Sequence, residues 1–498
     1  MNIQEAKQEI IHTVRAYLAK DASGNYCFPT VRQRPIILMG PPGIGKTAIM
    51  EQAAQECGVG LVAYTITHHT RQSAIGLPHI TRKSYGGVEM SVTEYTMSEI
   101  IASVYETIER TGNREGILFL DEINCVSETL APTMLQFLQN KTFGSHKVPE
   151  GWVIAAAGNP AAYNKSAREF DIVTLDRVRL IQVEADLQVW LDYARAKQLH
   201  GAVISYLTVK ADQFYLVQRK EDTLSYVTAR GWEDLSAILK GYETLGVPIT
   251  AALTEQYLHH TATARSFTAY YQLYQKYGTD YGIGEILSGT ISQGEYQQKV
   301  AMAKAGGFDE RITVVNLMLE SLQRMFAQYC QVDGQVAKLH SYLHRWKGLD
   351  QTLPKFIESN RKSLEVKLSN ALISRGETEQ ETWVLSRLAQ MELSIKAQHL
   401  QERQAQYAYI KDLFLSDVTR RETVIGEVKN ARASAVRFAE DCFGVGQEMI
   451  LLVSSLTRTP SALEFIFRHG CAPYLKYAQV LLYHQQEAAL QQACAELM

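Results

Sequence analysis

The chain has 498 residues, 46% hydrophobic and 21% charged, with 50 basic and 53 acidic side chains and a formal net charge of −3. That length is too great for one hydrophobic core and implies about two to four domains. The near-balanced charge argues against a dedicated nucleic-acid binder, which carries a basic patch or stripe, and no apolar run approaches the roughly 20 residues that span a bilayer.

The first residues, Met1 to Ile11, are polar and acidic and do not read as a signal peptide. Cys27, Cys57, Cys125, Cys330, Cys442, Cys471 and Cys494 are scattered, odd in number and never in a CxxC pair. They read as reduced thiols, so a cytoplasmic protein is expected, and the sequons at Asn140 and Asn164 are coincidental. His68 and His69 are adjacent rather than at metal-ligand spacing.

Eight of the twelve prolines lie within the first 160 residues, which suits a loop-punctuated α/β region followed by a mostly helical one. Residues 3–19 are expected to be helical, with Ile3, Ala6, Ile10, Val14 and Leu18 at mixed three- and four-residue spacing. Continuous apolar runs follow at Ile36–Met39, Leu61–Ile66, Ile117–Leu120 and Val153–Ala157, as in strands buried on both faces of a parallel sheet. Between them, His68–Glu89 and Lys141–Glu150 read as near-loop segments. From about residue 186 the pattern turns helical, with Leu187, Trp190, Leu191 and Ala194 on one face. Beyond 290 it is helical throughout. One stripe is Val315, Met318, Leu322, Met325, Phe326 and Tyr329; another is Val384, Leu388, Met391 and Ile395. Between Pro354 and Pro460 no proline intervenes, which suggests a bundle or a long hairpin of helices. The division expected is 1–185 for the α/β core, 186–290 for a helical lid and 291–498 for an all-helical C-terminal domain that binds a partner or client.

Chemistry concentrates in three phrases. Gly40-Pro-Pro-Gly-Ile-Gly-Lys-Thr47 stands between an apolar strand and a helix-like stretch, the context of a phosphate-binding loop. Its glycines let backbone N–H groups turn inward as an anion cradle at a helix N-terminus. Gly40, Pro41, Pro42, Gly43, Ile44, Gly45, Lys46, Thr47 and Ala48 are the predicted nucleotide contacts. Lys46 would reach the β- and γ-phosphates, and the Thr47 hydroxyl would ligate magnesium. Next, Phe119-Leu-Asp-Glu122 ends a buried strand in two carboxylates. Asp121 would hold the metal and Glu122 would orient or deprotonate the attacking water. Twist at the strand end would let both reach the γ-phosphate. Taken alone, the two acids could instead cap a following helix starting at Ser127; their position 75 residues after Lys46 favours catalysis. Third, Trp152–Pro160 is a buried strand ending in Asn159. That amide could bond both γ-phosphate and water, although Gly-Asn-Pro in isolation is simply a turn.

The order GPPGIGKT, LFLDEIN, AAAGNP resembles AAA+ ATPases and, more narrowly, the MoxR family, over roughly residues 1–285. The resemblance implies a parallel α/β P-loop core with helices on both faces plus a helical lid, binding ATP and Mg2+. It implies that Arg177, in Thr174-Leu-Asp-Arg177, is an arginine finger reaching a neighbouring subunit. Here Val178 replaces the family's usual Phe, Arg179 follows, and Arg168 is a second candidate. It implies that Arg230, in Thr228–Leu235, is a sensor-2 arginine acting in cis. It places an inserted hairpin over about Thr70–Met97 and a loop over Lys141–Pro149. Phe143, His146 and Lys147 would there either grip a client or stand on ordinary surface loops. A finger in trans implies a homo-oligomeric ring, most simply a hexamer. The family's role would be an ATP-driven chaperone working with a von Willebrand factor A-domain protein and a protein client. The alternatives are an AAA+ nucleic-acid motor, disfavoured by the charge balance, and a nucleotide-gated scaffold with little turnover.

Overall fold

The computed structural model describes residues 1–68, 74, 76–143, 146–164, 166–220, 223–369, 373, 375–470, 474, 476 and 477. His69, Thr70 and the next residues of the expected insert (71–73 and 75), loop residues 144 and 145, Lys165, Cys471 and Cys494 lie outside the described residues. The chain forms two compact units. One comprises Met1–Trp190, Asp212–Leu235 and Tyr257–His260; the other comprises Leu191–Ala211, Ser236–Gln256 and Thr261–Met498.

In the first unit, α1 (Ile3–Leu18) starts at Asn2, whose side chain accepts the Gln4 and Glu5 amides while Glu5 accepts the Asn2 amide, a capping box. Then come β1 (Ile36–Met39), α2 (Lys46–Cys57), β2 (Gly60–Thr65), β3 (Pro78–Tyr85), β4 (Val88–Tyr95), α3 (Glu99–Thr111), β5 (Gly116–Asp121), α4 (Ala131–Asn140), β6 (Thr142–Phe143), β7 (His146–Lys147), β8 (Trp152–Gly158), α5 (Ile172–Leu175) and β9 (Arg179–Gln182). Five strands form one parallel sheet in the order β2-β5-β8-β1-β9. Successive residues enter opposite cores. Ile37, Leu118, Leu120, Ile154 and Ala156 join one apolar cluster, whereas Ile36, Leu38, Ile117, Phe119, Val153 and Ala155 join the other. This is the doubly covered sheet that the continuous apolar runs call for.

One sequence expectation is met in this unit and another fails. β3 and β4 pair as an antiparallel hairpin with its turn at Gly86-Gly87, within the insert that the family resemblance places over about Thr70–Met97 and that composition alone reads as loop. The helix expected at Ser127 begins at Ala131, because Leu130 and Ala131 donate to the Ser127 carbonyl in a turn that precedes it.

After β9 the chain continues through α6 (Leu187–Ala196), α7 (Gly201–Val209), β10 (Leu216–Lys220), β11 (Thr223–Val227) and α8 (Ala229–Leu245). The β10–β11 hairpin is antiparallel and lies within a stretch whose sequence reads as helical.

Helices dominate the second unit: α9 (Ala251–Leu258), α10 (Thr261–Tyr281), α11 (Ile283–Ser288), α12 (Gln293–Ala305), α13 (Phe308–Gly348), α14 (Leu353–Ser369), α15 (Arg375–Ala397), α16 (Arg403–Phe443), α17 (Gln447–Arg458) and α18 (Pro460–His469). The N-terminal half of α13 shares a core with the C-terminal half of α16, around Met318, Leu322, Phe326, Val428 and Ala435. The C-terminal half of α13 shares another with the start of α16, around Leu339, Trp346, Leu388 and Ile410. The two long helices are therefore antiparallel. Between the cores, Asp333 receives Arg421 at 2.5 Å and Arg468 at 2.7 Å, and Asp417 receives Arg387 at 3.0 Å. Among the described residues no single helix is long and apolar enough to cross a membrane. The one bent pair with such composition, α17 and α18, contributes Leu452, Val453, Leu456 and Phe465 to the first of these cores.

Trp152 lies at the start of β8, 1% exposed, with its indole over β2 and β5; a Cβ added at Gly116 would stand 2.5 Å from the ring. Trp152→Ala should cost about 3–5 kcal/mol. Urea unfolding read by near-UV circular dichroism tests this, and a midpoint equal to wild type would contradict it.

Candidate functional site

The carboxyl ends of β1, β5 and β8 lie side by side because these strands are adjacent in the sheet, and the chain leaves each into a polar loop. After β1 it turns sharply. Gly43 and Gly45 take φ of +74° and +97°, values that favour glycine. Gly45 is also the residue from which α2 starts. Lys46 opens that helix and is only 8% exposed. Its Nζ donates to the carbonyls of Gly40 and Pro41 and to Asn159 Oδ1, each at 2.8 Å. Burial pulls the ammonium pKa down to about 8; Asp121 opposes that shift and Arg230 adds to it.

Thr47 Oγ1 donates to Asp121 Oδ2 at 2.8 Å. The other Asp121 oxygen accepts the Glu122 amide at 2.9 Å. Glu122 has φ of +57°, a conformation uncommon for a residue with a side chain. The turn is held open by Ile123, whose amide donates to the Ala157 carbonyl of β8 at 2.9 Å. This left-handed residue, rather than gradual strand twist, redirects Glu122 out of the alternation of β5. Thr67, just after β2, donates its hydroxyl to Glu122 Oε2 at 2.9 Å.

Asn159 follows β8. Its carbonyl accepts Asn124 Nδ2 at 2.7 Å and its amide donates to Asn124 Oδ1 at 3.3 Å. Asn124, 3% exposed, also donates to the Arg168 carbonyl at 3.3 Å. One buried amide thus ties the loop after β5 to the loop after β8. The opposite side of the phosphate loop is held by the β10–β11 segment and the start of α8. Tyr215 donates to the Pro42 carbonyl at 2.9 Å, and the Arg230 amide donates to the Gly43 carbonyl at 3.1 Å. Burial pushes the Tyr215 phenol well up, so it remains a donor.

Lys46, Thr47, Asp121, Glu122 and Asn159 are therefore linked by direct contacts along one sheet edge, and Arg230 stands against the phosphate loop. Arg177 is elsewhere: exposed, beyond α5, with its guanidinium donating to Gln139 Oε1 at 2.6 Å. The Arg168 guanidinium pairs with Glu128 at 2.8 Å. Sequence reasoning gave no role to Thr67, Asn124 or Tyr215. Only Asn124 carried a local signal, as an amide two residues beyond Glu122.

Residues 36–175 match the family model described as ATPase family associated with various cellular activities (AAA). This part of the chain is an AAA ATPase domain. No curated protein matches the sequence. An AAA domain binds a nucleoside triphosphate, usually with magnesium. Here Thr47 and Asp121 offer adjacent hard oxygen donors of the kind magnesium takes. Among the described residues no cluster of three His, Cys, Asp or Glu could hold a metal.

Two outcomes are expected of the AAA domain. Above pH 8 free Lys46 loses its proton, whereas phosphate favours the ammonium, so nucleotide binding should take up a proton there and weaken as pH rises. Calorimetry at pH 8.5 in buffers of different ionisation enthalpy reads this; heats independent of buffer would refute it. Asn124→Ala should lower turnover with little change in nucleotide affinity, and should cost about 1–3 kcal/mol of stability. Asn124→Asp should fare no better, since it sets a carboxylate against the Asn159 and Arg168 carbonyls. Equal turnover in all three proteins would remove Asn124 from the site.

Proposed function

We propose that the chain is an ATP-hydrolysing AAA+ chaperone of the MoxR type. It acts as a homo-oligomeric ring, most simply a hexamer, to remodel or activate a partner protein. The observation that carries the ATPase reading is the contact chain from Lys46 to Asn159 and from Thr47 through Asp121 to Glu122.

In this reading the Lys46 ammonium exchanges its loop carbonyls for β- and γ-phosphate oxygens. When bound against Thr47 and Asp121, magnesium supplies further neutralisation of phosphate charge. Asn159 orients water, and the Thr67 hydroxyl fixes the Glu122 carboxylate to receive its proton. The water oxygen bonds to the γ-phosphorus, the bond to the bridging oxygen breaks, and ADP and phosphate result. Arg230 answers phosphate charge from within the chain. Arg177 acts on the next subunit: it is exposed and lies close in sequence to Ile172 and Val173, which are 82% and 53% exposed, as suits a contact face between copies.

A chaperone rather than a nucleic-acid motor is favoured by the β3–β4 hairpin, which holds Ile80, Tyr85, Val88 and Met90 exposed around a glycine turn. Such apolar residues suit a protein client better than a phosphate backbone. In this reading the core spans 1–185 and the lid 186–290, and a helical region over 291–498 recruits the client and a von Willebrand factor A-domain partner.

The Glu122→Gln protein should bind ATP and slow hydrolysis by about 10²–10⁴. Used as a trap with ATP in extract of its native cell, it should retain an A-domain protein and a distinct client. Nuclease-sensitive complexes would instead favour the motor. Arg177→Ala should bind ATP normally and lose about 10³-fold or more in turnover. Mixing with Lys46→Ala subunits should restore part of it. Full turnover by Arg177→Ala alone would defeat the finger assignment.

A further inference from the structure

A cavity of about 260 Å3 opens among α13, α14 and α15 in the second unit. Lys338 and Arg345, seven residues apart, face it from α13; Asn360, Ser363 and Lys367 face it from α14; Glu381 faces it from α15. Each of the first two walls is thus one side of a helix. Beside it lies the apolar core of Leu339, Trp346, Phe356 and Val384, while Arg345, Ser363 and Lys367 are exposed and so open to a solute.

The charges do not cancel. Three cations line the cavity against one carboxylate. Glu381 is already engaged. Its side chain is 8% exposed, Lys338 reaches Oε1 at 3.1 Å, Lys367 stands at 3.9 Å, and the Tyr342 hydroxyl donates to Oε2. Arg345 is held over the rings of Tyr342 and Phe356 at 4.8 and 5.6 Å and donates to Asn360 Oδ1 at 2.7 Å. Two positive charges are therefore left over, one of them fixed in orientation, around an opening lined by further hydroxyl and amide groups.

We propose that this cavity binds a small phosphorylated metabolite, a phosphate monoester whose dianion sits among Lys338, Arg345 and Lys367. A fixed guanidinium with two ammonium groups suits a phosphate dianion. Ser363 and Asn360 supply neutral partners for the remaining oxygens. The volume leaves room for a small carbon body beside the phosphate. The site is separate from the phosphate loop and does not depend on the chaperone reading.

The test is calorimetric titration of the full-length Lys46→Ala chain, which disables the phosphate loop, with inorganic phosphate, glycerol 3-phosphate and ribose 5-phosphate. A monoester should bind at one site per chain. Arg345→Glu and Lys367→Glu, each added to that background, should weaken it by about tenfold or more. Lys362→Glu, on an exposed position of α14 outside the cavity, should not. Arg345→Gln should act in the same direction if charge reversal disturbs the circular dichroism spectrum. Binding of inorganic phosphate but of neither ester would overturn the monoester assignment. Absence of binding, or binding unchanged in the Arg345 and Lys367 variants, would overturn the site.

Discussion

The AAA domain depends on keeping an ammonium group charged where there is little water. Lys46 loses most of its hydration at the start of α2, a cost that grows as the surroundings become less polar. Carbonyls turned inward by the loop, the Asn159 amide oxygen and the Asp121 carboxylate nearby offset it. Each comes from the carboxyl end of a different central strand or from the loop itself. The parallel order β5-β8-β1 is therefore an electrostatic requirement as well as a packing one: an antiparallel neighbour would bring its amino end to this edge. The same requirement explains the strain at Glu122. A residue continuing the pleat of β5 would alternate away from Asp121, and the positive φ turns the second carboxylate back to the same edge.

Sequence made the buried strands plain because each faces apolar side chains on both sides, so a continuous run of Ile, Leu, Val, Phe and Ala admits few other readings. Periodicity marks neither hairpin, for opposite reasons, and only the first was placed, by the family resemblance. Nearly every side chain of β3 and β4 is solvent-facing, so no alternation marks them. The β10–β11 pair is short and embedded among helices, and Leu216-Val-Gln-Arg-Lys220 carries no apolar–polar alternation. In the site, Lys46, Thr47, Asp121 and Asn159 were legible because each sits in a short phrase whose chemistry is local. Thr67, Asn124 and Tyr215 act through partners 55, 35 and 173 residues away. A sequence does not show such pairings until the fold closes them. The helical stripes of α13 and α15 were legible for the same reason as the strands: Met318, Leu322 and Phe326, and Val384, Leu388 and Met391, recur at the helical period and are buried.

Polar groups inside the helical unit are of two kinds. Ser205, Tyr270, Thr313 and Asn316 form a closed network in which each group has a partner, which fixes how α7, α10 and α13 meet. The groups around Glu381 are not closed in this way, since cations outnumber the carboxylate there. A saturated network specifies a fold, whereas one with charge left over has capacity for something else.

The paired helices α13 and α16 have 41 residues each, so at 1.5 Å per residue each is about 60 Å long. Apolar cores clamp them near both ends; between the cores Asp333 of α13 receives Arg421 of α16, while Arg468 of α18 and Arg387 of α15 bring neighbouring helices to Asp333 and Asp417. Apolar packing resists shear because any slip opens voids, and the waist is packed as well: Val332 and Val336 are buried, and the Asp333 and Asp417 side chains are only 13% and 8% exposed. The pair is thus held along its whole length, by apolar packing at the ends and by nearly buried charge pairs as well at the waist. Because salt screens buried pairs little, raising the ionic strength would leave this joint much as it is.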